Sequence, residues 1–117
     1  MNHKFRLEIF KKASLCRNFE EEVIRNVNNK KITTPVYVSA GQEFIASTLA
    51  VICKKKKIKP LLFGQHRCHS TYLAFGGKPI KLIDELLGRE TGCTQGKGGS
   101  ASIHSKHINM YGHDGLM

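Results

Sequence analysis

Ten of the eleven glycines in this 117-residue chain fall within residues 63–117. Glycine reaches positive φ and lets two stretches of backbone approach closely, and it weakens the interior of any helix or strand that contains it. The second half must therefore be built from short regular elements joined by shaped loops. Loops of that kind suit the surroundings of a ligand, so function is to be sought there. The first half holds only Gly41 and has room for longer helices.

A chain of this length with 40% hydrophobic residues has enough material for one small domain around a single core. It is too short for a large enzyme. The net charge of +10 favours anionic partners such as nucleic acid, acidic lipid or phosphorylated small molecules. Thirteen of the nineteen Lys and Arg residues precede Pro60, however, away from the glycine-rich stretch. The lysine run at 54–57 reads as a solvated helix end or turn. Tryptophan is absent and aromatics make up 8% of the chain, which argues against platforms for stacking bases. Cys16, Cys53, Cys68 and Cys93 form no C-x-x-C pair and follow no secretory leader, so they read as reduced thiols in a cytoplasmic protein. No apolar run approaches the roughly 20 residues that a membrane span needs.

Apolar residues at Phe5, Ile9, Ala13, Cys16, Phe19, Val23 and Val27 recur every three or four positions and predict a helix with one buried face. The acids at 20–22 then belong on or near its wet side. Residues 28–34 are a polar break, and Pro35 bars any helix from running through it. Ser39 and Gln42 have the spacing of a capping box, which predicts a second helix from there with Phe44, Ile45, Thr48, Leu49 and Ile52 on its apolar face. Leu61 to Phe63 reads as a short buried strand, leaving residues 64–70 as the loop at its end, where open α/β sheets bind ligands. Pro79 suits the first turn of a third helix carrying Ile80, Ile83, Leu86 and Leu87, stopped by Gly88. Residues 91–99 are too rich in glycine for regular structure, and 100–104 read as extended.

GCTQGKGGS at 92–100 invites comparison with a phosphate-cradling P-loop, yet the glycine spacing, the residue after Lys97 and the preceding helix all fail that pattern. Its other reading is a structural loop whose glycines let two segments pass closely. His66, Cys68, His69, His104, His107 and His113 raise the question of zinc, but no paired knuckle spacing is present and no metal ligand is assigned. Arg67 between His66 and His69 fits anion binding, because a guanidinium is a permanently charged planar fork and imidazoles add hydrogen bonds. The alternative is that Arg67 pairs with a carboxylate such as Asp84 or Glu85.

The ordered motifs RNFEE at 17–21, YVSAGQE at 37–43, QHRCHS at 65–70, ELLGRETGCTQGKGGSASIH at 85–104 and YGHDGLM at 111–117 resemble those of one family. It is the alpha subunit of the thiamine-diphosphate-dependent decarboxylating component of 2-oxo-acid dehydrogenases, the acetoin branch included. The resemblance implies the amino-terminal part of a doubly wound α/β thiamine-diphosphate-binding fold, incomplete here, with a helical lead-in over 1–34 and a cofactor-binding portion over 35–117. It places the diphosphate contact on His66 and Arg67, with histidine where tyrosine is commoner. It places the aminopyrimidine wall on Gly115 and Met117, and it marks His69 as a site residue of unassigned role and a candidate catalytic group. Tyr37 stands where the family has a histidine handling substrate. Asp114 belongs to the pyrimidine segment, and the magnesium ligands of the family are expected downstream of Met117.

Further implications are a beta-subunit partner in an alpha2-beta2 heterotetramer and transfer of the acyl unit to a lipoyl-bearing acyltransferase. The chain by itself, as a fragment, is expected to be inactive and marginally stable. Two other classes stay open: a catalytically inactive partner-binding remnant and a small basic nucleic-acid-binding protein.

Overall fold

A computed structural model of the chain describes residues 2–113. Along it run helix α1 (His3–Asn28), helix α2 (Glu43–Lys55), strand β1 (Leu62–Gly64), helices α3 (His69–Ala74) and α4 (Pro79–Leu86), a turn of 3-10 helix at Lys106–Ile108, and strand β2 (Met110–His113). The two strands pair in parallel, with Leu62 opposite Met110 and Gly64 opposite His113, and the register is irregular between Leu62 and Phe63. Parallel strands need a long crossover, here the chain that carries α3 and α4, and this places the molecule in the α/β class.

Helix α1 follows the apolar periodicity from Ile9 to Val23, whereas Phe5 is only half-buried and Val27 is exposed. The Asn2 side chain accepts the Phe5 amide at 2.8 Å and caps its start, and Ile9, Ala13, Cys16, Phe19 and Val23 are buried along one stripe. Glu20 lies on that same stripe and is fully buried, not on the wet face expected for it.

Helix α2 departs from expectation at its start and on its buried face. Ser39 does not cap it; the helix begins at Glu43 behind Gln42 without a side-chain cap. The Ser39 hydroxyl is drawn inside instead, where it lies 2.5 Å from the Ser70 hydroxyl and accepts the Ser70 amide at 3.1 Å. Glu43 turns back to accept the Gly41 amide at 2.9 Å and to bond Arg17 of α1. The guanidinium of Arg17 holds the Glu43 carboxyl below its ordinary range. Small residues of α2, Ala46, Ser47 and Ala50, face the interior, while Phe44, Ile45 and Leu49 are exposed. Small side chains let α2 approach α1 and α3 closely, which turns the large ones outward. Ile45 and Leu49 line a trough of about 420 Å³ together with Leu61 and Phe63, the latter 69% exposed.

The lysine run closes α2, with Lys54 and Lys55 in its last turn, where positive charge complements the helix dipole. Helix α4 starts at Pro79 as the sequence indicates. Its buried stripe is Leu82, Glu85 and Leu86, and Ile80 is exposed, because the helix is rotated so that Glu85 points inward. The six-residue helix α3 stands partly where a loop was expected. Five of its residues, His69, Ser70, Tyr72, Leu73 and Ala74, are buried, so no wet face marks it as a helix.

Burial also fixes the chemistry of three side chains. It pushes the Cys16 and Cys93 thiols from 9.0 up to about 11, and the Tyr72 phenol from 10.0 up to about 12. All three are neutral in the folded chain at pH values where the unfolded chain ionises. Their contribution to stability is complete below about pH 9 and is lost as the pH rises toward 11 and 12. Urea melts at pH 8, 9, 10 and 11 should show a midpoint that falls above pH 9, and Cys16→Ala should flatten that fall.

Candidate functional site

The sequence motifs converge in space, mostly inside the molecule. Glu20 of α1 and His69 of α3 are both fully buried, and His69 Nδ1 lies 2.6 Å from Glu20 Oε1. On its other side His69 Nε2 is 2.8 Å from the hydroxyl of Ser100, from the glycine-rich stretch. The second oxygen of Glu20 accepts the Ser39 amide at 2.6 Å, and the Ser100 hydroxyl accepts the Tyr37 amide at 2.9 Å. One polar network thus joins α1, the segment 37–39, α3 and the glycine-rich loop. A buried carboxylate is tolerable because each oxygen has a partner.

A second buried carboxylate organises the loop itself. Glu85 of α4 is 1% exposed and accepts the amides of Gly96, Gly98 and Gly99 at 3.0–3.1 Å, together with that of Thr94. Consecutive backbone amides aimed at one point form an anion-binding nest. Here the anion is the protein's own side chain, so the structural reading of GCTQGKGGS holds and the loop amides are already taken. Two of its glycines are required by geometry. A Cβ at Gly98 would stand 2.0 Å from the Ser102 carbonyl oxygen, and Gly96 combines a φ of +76° with a close approach to the Gly88 carbonyl.

What faces outward is a smaller set at the carboxyl end of β1. The Arg67 side chain is exposed, and its Nη1 donates to the Val38 carbonyl at 2.9 Å, so it pairs with neither Asp84 nor Glu85. Asp84 is engaged by Arg89 at 3.1 Å and Thr91 at 2.8 Å. The half-buried His66 ring meets Tyr37 edge-on, centroids 5.2 Å apart. Tyr37, His66 and Arg67 therefore share one surface. His69 is not part of it, being enclosed in the polar network behind. Gly115, Met117 and Asp114 lie outside the described residues. Among those described, no three His, Cys, Asp or Glu side chains converge as a metal site, and no helix is long and apolar enough to cross a membrane.

A family model for the dehydrogenase E1 component matches residues 11–117. The chain belongs to that family. A pyruvate dehydrogenase E1 component subunit alpha-1, mitochondrial, of Oryza sativa subsp. japonica is 34% identical over 112 residues, 95% of this chain and 28% of the relative. The corresponding subunit alpha of Rickettsia prowazekii (strain Madrid E) is 33% identical over 111 residues, 95% of this chain and 33% of the relative. The chain thus spans about a third or less of the curated relatives it matches. No solved structure matches it. Membership of the dehydrogenase E1 family agrees with the resemblance carried by the motifs and with the parallel strand pair.

Sequence reasoning passed over Glu20, Glu85 and Ser100 as site-forming residues. A signal existed for two of them. Glu20 falls four residues after Cys16 and three before Val23, and Glu85 three after Leu82, so both sit at core spacing within apolar stripes. An acid on a buried stripe must find donors, and a glycine-rich run supplies free amides. Replacing Glu85 with Gln removes the charge and turns an amide group toward backbone N–H donors, which should cost roughly 3 kcal/mol, given what bonds to charged groups and unpaired buried donors are worth. Urea denaturation of Glu85→Gln against Glu22→Gln, an exposed partner of Arg25, checks this: only the first should shift the midpoint strongly.

Proposed function

We propose that this chain supplies part of the cofactor wall of a thiamine-diphosphate-dependent 2-oxo-acid dehydrogenase alpha subunit, with Arg67 and His66 taking the diphosphate. The observation that carries the reading is the placement of Arg67. It stands in the loop at the end of a parallel strand, oriented through Nη1 by the Val38 carbonyl, which leaves its Nε and Nη2 groups for an anion. His66 is set beside it by the Tyr37 ring and adds a hydrogen-bond donor. Tyr37, at the position of the family's substrate histidine, acts by bracing His66. Gly115 and Met117, which follow β2 in the sequence, complete the wall on the pyrimidine side. His69 acts from behind the site and does not touch the substrate.

Thiamine diphosphate, when bound, supplies the electron sink for decarboxylation of a 2-oxo acid or cleavage of an acetoin-like donor. This chain's share is to bind the diphosphate, orient it and hold neighbouring loops in place. Residues 35–117 form that cofactor-binding portion behind the helical lead-in of 1–34. Magnesium belongs to the same proposal, with its ligands outside the described residues. So do a beta subunit in an alpha2-beta2 heterotetramer and a lipoyl-bearing acyltransferase as acyl acceptor, and by this reading the chain does not turn over substrate without them. The exposed apolar trough of Ile45, Leu49, Leu61 and Phe63 supports a chain that works in contact with further polypeptide.

Calorimetry with thiamine diphosphate and with thiamine, both with magnesium, tests the reading. The chain should bind the diphosphate form more tightly, and Arg67→Ala should weaken that binding by about 10- to 100-fold, the worth of charge-assisted hydrogen bonds, while leaving the affinity for thiamine unchanged. Equal affinities for the two compounds in the wild-type chain would overturn the assignment.

A further inference from the structure

The polar network of Glu20, His69 and Ser100 has two outputs, and they fall on either side of a single residue. Ser100 accepts the amide of Tyr37 at 2.9 Å, and Glu20 accepts the amide of Ser39 at 2.6 Å. Between these two anchors lies Val38, whose carbonyl accepts the guanidinium of Arg67 at 2.9 Å. A peptide segment pinned at both neighbours has little freedom to rotate its central carbonyl. We propose that Glu20, His69 and Ser100 are positioning residues that fix where the Arg67 guanidinium stands, through the Val38 carbonyl. This deepens the reading of Arg67 as a diphosphate ligand and rests on it for its functional meaning.

The proton arrangement follows from the donors. A backbone amide can only donate, so the Ser100 hydroxyl accepts from Tyr37 and its own proton needs an acceptor, since the group is buried. His69 Nε2 at 2.8 Å is that acceptor, which puts the ring proton on Nδ1, directed at Glu20 Oε1. Glu20 then accepts from Nδ1 with one oxygen and from the Ser39 amide with the other, and no proton in the network is left unpaired. The order is Tyr37 amide to Ser100, Ser100 to His69, His69 to Glu20. Each member sits on a different element, so the chain of bonds transmits the position of α1 and α3 to the surface segment that holds Arg67. The same segment carries Tyr37, whose ring braces His66, so both diphosphate residues depend on it.

The test is side-chain nuclear magnetic resonance of the full chain, labelled with ¹⁵N, combined with calorimetry. In the wild-type chain the His69 nitrogens should show the neutral tautomer protonated at Nδ1, and the Arg67 Nε–H should give a resolved, motionally restricted signal. Ser100→Cys keeps the volume of the side chain but bonds weakly, so the fold survives; the Arg67 signal should move to the averaged position of a free guanidinium, and thiamine diphosphate affinity should fall about fivefold. Glu20→Gln should do the same from the other anchor. A merely structural role for the network would lower the melting temperature and leave the Arg67 signal where it was. An unchanged Arg67 signal in Ser100→Cys, with native dispersion elsewhere, overturns the proposal, as does an Nε2-protonated His69. If Arg67→Ala binds thiamine diphosphate like the wild type, the diphosphate reading fails, and the Arg67 resonance in Ser100→Cys still decides the positioning claim.

Discussion

The fold of this chain depends on the buried carboxylate of Glu20. It is fully enclosed on α1, and its two oxygens are taken by His69 of α3 and the Ser39 amide. An unpaired charge in that place would cost several kcal/mol, so the residues that satisfy it are not free to be elsewhere. That requirement orders the entry to α2, seats α3 and, through Ser100, draws in the glycine-rich loop. Glu85 repeats the device one layer further on, where its carboxylate gathers the amides of residues 94–99. In a chain of net charge +10, two acids do their work from the inside.

This arrangement explains why irregular segments can present a defined surface. Loops with few apolar side chains have little to hold them, and their backbone groups must find partners. Here the partners are buried carboxylates and a histidine, so hydrogen bonds hold residues 94–100 and, together with the packing of Val38 against the core, residues 37–39. The outward result is the cluster of Tyr37, His66 and Arg67 at the carboxyl end of β1. Family membership gives that cluster its context: the dehydrogenase E1 motifs supply both the inner acids and the outer cation.

Sequence periodicity made α1 legible, because Ile9 to Val23 bury at helical spacing, and Pro79 marked the start of α4. The place of Arg67 in a loop just after a strand was also readable, since a short apolar run precedes it. Glu20 was harder to read: its spacing from Cys16 and Val23 is that of the buried stripe, but within a run of three acids it looks like solvated surface, and the partners that make its burial tolerable, the Ser39 amide and His69, are 19 and 49 residues away. The buried face of α2 was hidden for the opposite reason: hydrophobicity pointed to Phe44, Ile45 and Leu49, while close approach of helices selected Ala46, Ser47 and Ala50. Helix α3 escaped notice because it is buried nearly all round and has no alternation to read. The glycine density did announce shaped loops, but the ligand they enclose is Glu85.

Amide hydrogen exchange, resolved residue by residue, tests most directly whether buried side chains order these loops. The amides of Tyr37, Ser39, Gly98 and Gly99 should exchange as slowly as those in the middle of α1, because they open only when the shared network opens. If those four exchange at the rate of free loops while α1 stays protected, the carboxylates do not hold the loops and the account of the site fails.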